Sequence, residues 1–148
     1  MRPWRRVDLR KISDVRGNLT AIEGGVDVPF EIKRLYYIYD VPSGSTRAGH
    51  AHRRLQQLFL ALSGSFVVHV DDGEQQESVA LNRPHIGLLV EAGVWRVIDD
   101  FSGGGVCAVL ASEHYDVDDY IYSYPDFTAY VAAKRDGAAA GLGASGPS

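Results

Sequence analysis

The sequence predicts an all-β protein, a sandwich or barrel of short strands with one short C-terminal helix, and three observations predict it. Hydrophobic residues arrive in strand-sized bursts, each rich in β-branched and aromatic side chains. Turn-forming clusters separate the bursts at a spacing of roughly 8–12 residues, which suits a sandwich or barrel. Helical patterning is missing until the chain reaches Pro125.

Taken in order, a front strand falls within residues 14–23 (DVRGNLTAIE). Further strands follow at 35–39 (LYYIY), 57–62 (QLFLAL), 66–70 (FVVHV), 78–81 (SVAL), 86–90 (IGLLV), 94–98 (VWRVI) and 106–110 (VCAVL). Between them lie VPSG, SG, DDG, NRP, EAG and SGGG, all good turn chemistry. Residues 125–135 (PDFTAYVAAKR) fit one short helix, with Pro125 in its first turn and Lys134 and Arg135 at its end.

A chain of 148 residues suits a single core. We expect one domain over residues 1–131, with 132–148 as a disordered tail that ends in the Gly- and Ala-rich DGAAAGLGASGPS. A net charge of −4 gives no reason to expect nucleic acid or an anionic membrane as partner. The single cysteine, Cys107, sits in an apolar strand and reads as a small core residue. No apolar run approaches the roughly 18–20 residues of a membrane span, and the basic N-terminus has no apolar stretch behind it. The expected location is cytoplasmic.

The stretch GSTRAGHAHRRLQQLFLALSG, beginning at Gly44, carries the chemistry. It reads Gly44, five residues, His50, one residue, His52, four residues, Gln57, six residues, Gly64. That is similar to the first motif of the cupins, G-x5-H-x-H-x3-4-E-x6-G, with a glutamine at the carboxylate position. On a strand, residues i and i+2 face one side, so His50 and His52 point inward together and Ala51 points out. The second cupin motif contains P-x-G-x-x-H, and its counterpart here is EAGVWR, with Gly93 kept and Arg96 at the histidine position. An amide is a poor ligand for a divalent metal, and a guanidinium has no lone pair to give. The expectation is therefore a site with no metal and no cofactor, in which the histidines handle protons.

The chain is similar to one family in particular, the metal-independent cupin 3,4-ketoisomerases that act on dTDP-4-keto-6-deoxyglucose. The resemblance spans Val7 to Phe127. It rests on RGNL at Arg16 followed by Glu23, PFEIKR ending at Arg34 and leading into YYIY, RAGHAH ending at His52, GVW ending at Trp95, and ASEHYD at Ala111 followed by Asp119 and Tyr120. It implies a double-stranded β-helix jelly-roll barrel and a homodimer with the N-terminal segment (7–23) as a candidate for exchange between partners. It also implies a dTDP-linked keto-sugar substrate and a pyridoxal-phosphate aminotransferase acting on the product. His50 and His52 are the implied catalytic pair.

A 3,4-ketoisomerisation needs a base near neutrality, an acid or shuttle for the oxygens, and donors for an enediolate. Histidine supplies the first two. We assign His52 as the carbon base and His50 as the oxygen-side partner. Tyr37, which shares a strand face with Leu35 and Tyr39, is assigned as an inward hydroxyl, and Arg96 as the cation opposite the pair. Arg16, Lys33, Arg34 and Arg47 are candidates for the diphosphate, and Trp95 for stacking on base or sugar. His69, His85 and His114 read as structural. Arg16 and Arg96 both border the expected sugar site, and the galacto- or gluco-configuration of the product stays open. A dTDP-sugar epimerase of related fold, a non-catalytic sugar-binding cupin and a metal-dependent oxygenase are the competing readings.

Overall fold

The computed structural model describes residues 2–144. Two five-stranded antiparallel sheets face each other. The first contains β1 (Trp4–Asp8), β4 (Arg34–Ile38), β6 (Gln57–Ser63), β9 (Ile86–Val90) and β11 (Val106–Ala111), in the spatial order β1-β9-β6-β11-β4. The second contains β5 (Arg47–His52), β7 (Phe66–Asp71), β8 (Gln76–Leu81), β10 (Trp95–Asp99) and β12 (Tyr120–Ile121), in the order β12-β5-β10-β7-β8. A separate hairpin, β2 (Ile12–Asp14) and β3 (Gly17–Leu19), belongs to neither sheet and is exposed on every residue. This two-sheet, all-β architecture is the jelly-roll arrangement expected of a cupin.

The alternating faces of the strands build the core. Phe59, Leu88, Val90, Cys107 and Val109 of the first sheet pack against Phe66, Val68, Val79, Leu81 and Ile98 of the second. Cys107 is fully buried there, as expected of a small core residue. The outer face of the first sheet is partly roofed by Val28 and Phe30 of the segment before β4, which cover Leu58, Leu60 and Leu89. β1 was not expected, because WRRVD has no run of apolar residues. Trp4 and Val7 are nevertheless buried, on opposite faces of the first sheet.

The helix α1 (Tyr124–Ala144) is longer than the expected 125–135. Ser123 caps it, its Oγ accepting from the Asp126 amide at 3.1 Å. Phe127, Tyr130 and Val131 pack its first half against Ala51 and Ile121 on the outside of the second sheet. Past Arg135 the backbone stays helical through Ala144, into part of the segment expected to be a disordered tail. The remainder of that expectation, 145–148, lies outside the described residues. Among the described residues no helix is long and apolar enough to cross a membrane.

Candidate active site

The site lies between the edge strand β4 of the first sheet and β5, β10 and β12 of the second. β5 supplies the histidines and β10 the cation, and these two strands pair with Arg96 opposite His50. The register slips between Arg96 and Val97. The slip is a β-bulge, made by Ala48 and Gly49 at φ 68° and 77°. A glycine takes that left-handed backbone without strain, and the bulge sets the aim of the side chain that follows it, His50.

His52 is fully buried and His50 half-buried, both on the inner face, while Ala51 points outward beneath α1. Their rings meet edge to face with centroids 4.8 Å apart. Tyr120, cross-strand partner of His52, lays its ring 4.4 Å from His52 and 4.9 Å from His50. His52 Nδ1 lies 3.0 Å from Asp119 Oδ2. His52 Nε2 is buried and has no hydrogen-bond partner among the described residues.

Arg96 is 0% exposed. Its Nε and Nη2 donate to the Val94 carbonyl at 3.3 and 2.9 Å, and its Nη1 donates to Gln57 Oε1. Gln57 Nε2 donates in turn to the Tyr36 hydroxyl at 2.8 Å. The glutamine at the carboxylate position is thus engaged with a guanidinium and offers a metal nothing. Among the described residues no three His, Cys, Asp or Glu side chains come together as a metal cage would require.

Electrostatics follow from burial around this fixed positive charge. The His50 imidazole is pushed down to about 4, first by burial and then by Arg96. His52 is pushed down to about 2 by burial, followed by Arg96, His50 and Arg34. Burial lowers Arg96 to about 10, which leaves it cationic at neutral pH. Burial raises the Tyr36 hydroxyl to about 12, so it keeps its proton. At pH 7 the site holds two neutral imidazoles and, in Arg96, a fully buried cation.

The cavity measures about 210 Å³ and is lined by Arg34, Tyr36, Arg47, His50, Arg96 and Tyr120 among others. It is smaller than the ~300–1,000 Å³ typical of small-molecule sites. A larger cavity, about 640 Å³, lies on the outer face of the second sheet beside His69 and Trp95. Its charged lining includes Asp71 and Glu77, which repel a diphosphate, and it holds no imidazole pair.

Several candidates are placed differently from expectation. Tyr37 does not project inward: it pairs with Ala108 on the outer face and is 58% exposed, reaching only the rim of the cavity. The inward tyrosine is Tyr36, whose cross-strand partner Val109 is in the core. Trp95 lies on the opposite face of β10 from Arg96, packed on Tyr124 and Phe127, and does not line the cleft. Lys33 sits one residue before inward-facing Arg34 and reaches toward Glu113 at 3.9 Å. Arg16 is on the detached hairpin, paired with Asp14 at 2.7 Å. Of the expected cations, Arg34, Arg47 and Arg96 are brought together. His52, the assigned carbon base, is fully buried beside His50, and His50 is the imidazole that lines the cavity wall. Tyr36, Asp119 and Tyr120 were not assigned roles from the sequence. The adjacency of Asp119 and Tyr120 to the histidines is long-range and leaves no local signal.

Residues 4–132 match the family described as FdtA: WxcM-like, C-terminal. The chain is 44% identical over 126 residues to a TDP-4-oxo-6-deoxy-alpha-D-glucose-3,4-oxoisomerase of Aneurinibacillus thermoaerophilus, a match covering 85% of this chain and 91% of that protein. Among solved structures, a TDP-quinovose 3,4-ketoisomerase from Campylobacter jejuni is 42% identical with a TM-score of 0.83, over 86% of this chain and 98% of that one. A sugar 3,4-ketoisomerase from Thermoanaerobacterium thermosaccharolyticum, solved in complex with TDP, is 38% identical with a TM-score of 0.87, over 89% and 96% of the two chains.

Proposed function

The chain belongs to the FdtA: WxcM-like, C-terminal family, and from that premise we propose that it converts a dTDP-linked 4-keto-6-deoxyhexose into its 3-keto isomer through an enediolate. The observation that carries this reading is the pair of neutral imidazoles beside a buried cation whose direct side-chain partner is an amide and not a carboxylate. Such a cavity takes protons and holds an oxyanion.

His50 faces the cavity and is the carbon base. It removes the C3 proton, made acidic by the neighbouring C4 ketone, as the C3–H electrons form the C3–C4 double bond. Arg96 supplies the fixed positive charge for the resulting enediolate oxygen, a contribution of the order of 10²–10³-fold in other enzymes. His50 then returns a proton to C4, and the carbonyl forms at C3. In a gluco-configured pyranose the C3 and C4 hydrogens lie on opposite faces. A single imidazole that returns its proton on the face from which it took one therefore yields the galacto-configured product.

Arg34 and Arg47 at the cavity mouth meet the diphosphate, Arg by bidentate geometry. The cavity has room for a sugar ring rather than a whole nucleotide sugar, so the nucleotide extends past the rim. A second copy of the chain completes that rim. Leu35, Tyr37 and Tyr39 are exposed on the first sheet's outer face, and Ile12, Val15 and Leu19 on the detached hairpin. Buried together, they form a homodimer in which the hairpin, with Arg16, crosses to the partner. The enzyme works in the cytoplasm, and its 3-keto product suits a pyridoxal-phosphate aminotransferase. The test is conversion of dTDP-4-keto-6-deoxyglucose followed by product analysis. A carbonyl at C3 supports the proposal, whereas an epimerised sugar with its carbonyl still at C4 makes the protein an epimerase.

A further inference from the structure

Asp119 closes the 3₁₀ turn Val117–Asp119 and is 2% exposed. Both of its carboxylate oxygens are occupied by donors. Oδ1 accepts from the Arg54 amide at 2.7 Å, with Arg54 Nη2 at 3.7 Å, and Oδ2 accepts from the Leu55 amide at 3.2 Å. The Asp119 carbonyl also accepts from the Arg53 amide at 2.9 Å, so the residue is clamped to the turn that joins β5 to β6. His52 Nδ1, 3.0 Å from Oδ2, meets a group that only accepts. That contact fixes the ring proton on Nδ1 and leaves Nε2 as a lone pair.

Nε2 is the buried side-chain polar atom that has no partner among the described residues. Buried acceptors are normally satisfied. An acceptor held open by its own tautomer is reserved for a donor that arrives with the ligand. At the reacting carbons of a 4-keto sugar the C4 carbonyl offers no hydrogen, and the C3 hydroxyl offers one.

We propose that Asp119 is a positioning residue that locks His52 as the oxygen-side proton shuttle of the isomerisation. This rests on the ketoisomerase reading and extends it. His52 Nε2 takes the O3 proton as the O3–H electrons become the new C3 carbonyl, and delivers that proton to O4. His50 moves the other proton from C3 to C4. One hydrogen shifts between carbons and one between oxygens, so the conversion balances without an oxidant or reductant.

The experiment combines ¹⁵N NMR of the histidine ring nitrogens with kinetics of Asp119→Asn. The unmodified protein is expected to show His52 protonated at Nδ1 and bare at Nε2. In Asp119→Asn, the carboxamide oxygen still accepts from the Arg54 amide while its NH₂ takes the Oδ2 position facing Nδ1, giving up the longer contact from the Leu55 amide, so the ring switches to the Nε2–H form. We expect kcat to fall about 10²–10⁴-fold, the range of a positioned proton-transfer group, with KM for dTDP-4-keto-6-deoxyglucose within a few-fold. Exchange of the C3 hydrogen with D₂O should fall less than isomerisation, because the carbon base is intact. A purely structural role would depress exchange and isomerisation together.

The proposal is overturned if His52 carries its proton on Nε2 in the unmodified protein, or if Asp119→Asn keeps kcat within a few-fold. Should the variant fail to fold, the tautomer of the unmodified protein decides alone. If the unmodified protein shows the Nδ1–H tautomer but turns over no dTDP-keto-sugar, the activity assignment fails and the proton shuttle falls with it. The lock itself then stands as a finding about the two side chains.

Discussion

The guanidinium of Arg96 donates to the amide oxygen of Gln57, and Gln57 donates onward to Tyr36, so that a fully buried cation meets a neutral partner. A glutamate at this position would fit the space and cancel the charge. The glutamine keeps a full positive charge inside the barrel, where the enediolate forms. We expect Gln57→Glu to fold, to bind dTDP as the parent does, and to lose about 10²-fold in kcat. Steady-state kinetics beside a dTDP titration check this. Undiminished kcat would remove Arg96 from the electrostatic account.

The two tyrosines of β4 separate by role. Tyr36 faces inward and closes the chain from Arg96 through Gln57, whereas Tyr37 lies outside at the rim. Tyr36→Phe should lower kcat by about 10-fold or more, as expected on losing a buried hydrogen-bonding hydroxyl. Tyr37→Phe should leave kcat within about 2-fold, since a solvated hydroxyl contributes little. Parallel kinetics of the two variants decide it, and the reverse pattern would restore Tyr37 to the inner site.

Why Tyr37 was expected inward is instructive. In LYYIY both faces of the strand carry large aromatic or aliphatic groups, so alternation alone does not say which is buried; the pairing of Tyr36 with Val109 decides it. Trp95 and Arg96 are a different case. Adjacent strand residues face opposite ways, so assigning both to one cavity already conflicted with the spacing, as it did for Lys33 and Arg34. The histidine pair was legible because its spacing matches the strand period, and Gln57 and Arg96 because they replace ligands in a fixed motif. Asp119 was not, since it reaches His52 across 67 residues of chain. The far end of the helix was not legible, because the run after Arg135 mixes helix-favouring alanines with the glycines that read as a tail.

Acidity should reveal the neutral imidazole. His50 is held at about 4, below its ordinary ~6.5. The base is therefore neutral from pH 8 down to about pH 5, and kcat/KM should stay level there and fall as His50 protonates. Between about 6.5 and 4 the unfolded chain binds the proton and the folded chain does not. Stability accordingly drops as pH falls through that window, by up to ~1.4 kcal/mol per unit for this group. A pH–rate profile and urea unfolding at pH 7 and pH 5 check both statements. A rate already halved at pH 6.5, with no change in stability, would contradict them.

The exposed apolar strip predicts association. Leu35 and Tyr39, at 57% and 58% exposure, border the roofed part of the first sheet. Light scattering on size-exclusion chromatography should give twice the 16.2 kDa chain mass. A Leu35→Asp/Tyr39→Asp double variant should shift the protein toward monomer and weaken dTDP-sugar binding, because the partner's hairpin leaves the rim. A parent that is monomeric at micromolar concentration would remove the exchange of Arg16 from the account.

The most direct test of the central claim is proton NMR of dTDP-4-keto-6-deoxyglucose in D₂O with the parent protein and with His50→Asn. The account predicts a 3-keto product carrying solvent deuterium at C4 in the galacto configuration, and neither exchange nor product with His50→Asn. A carbonyl that stays at C4, or a His50→Asn variant that isomerises as fast as the parent, would contradict it.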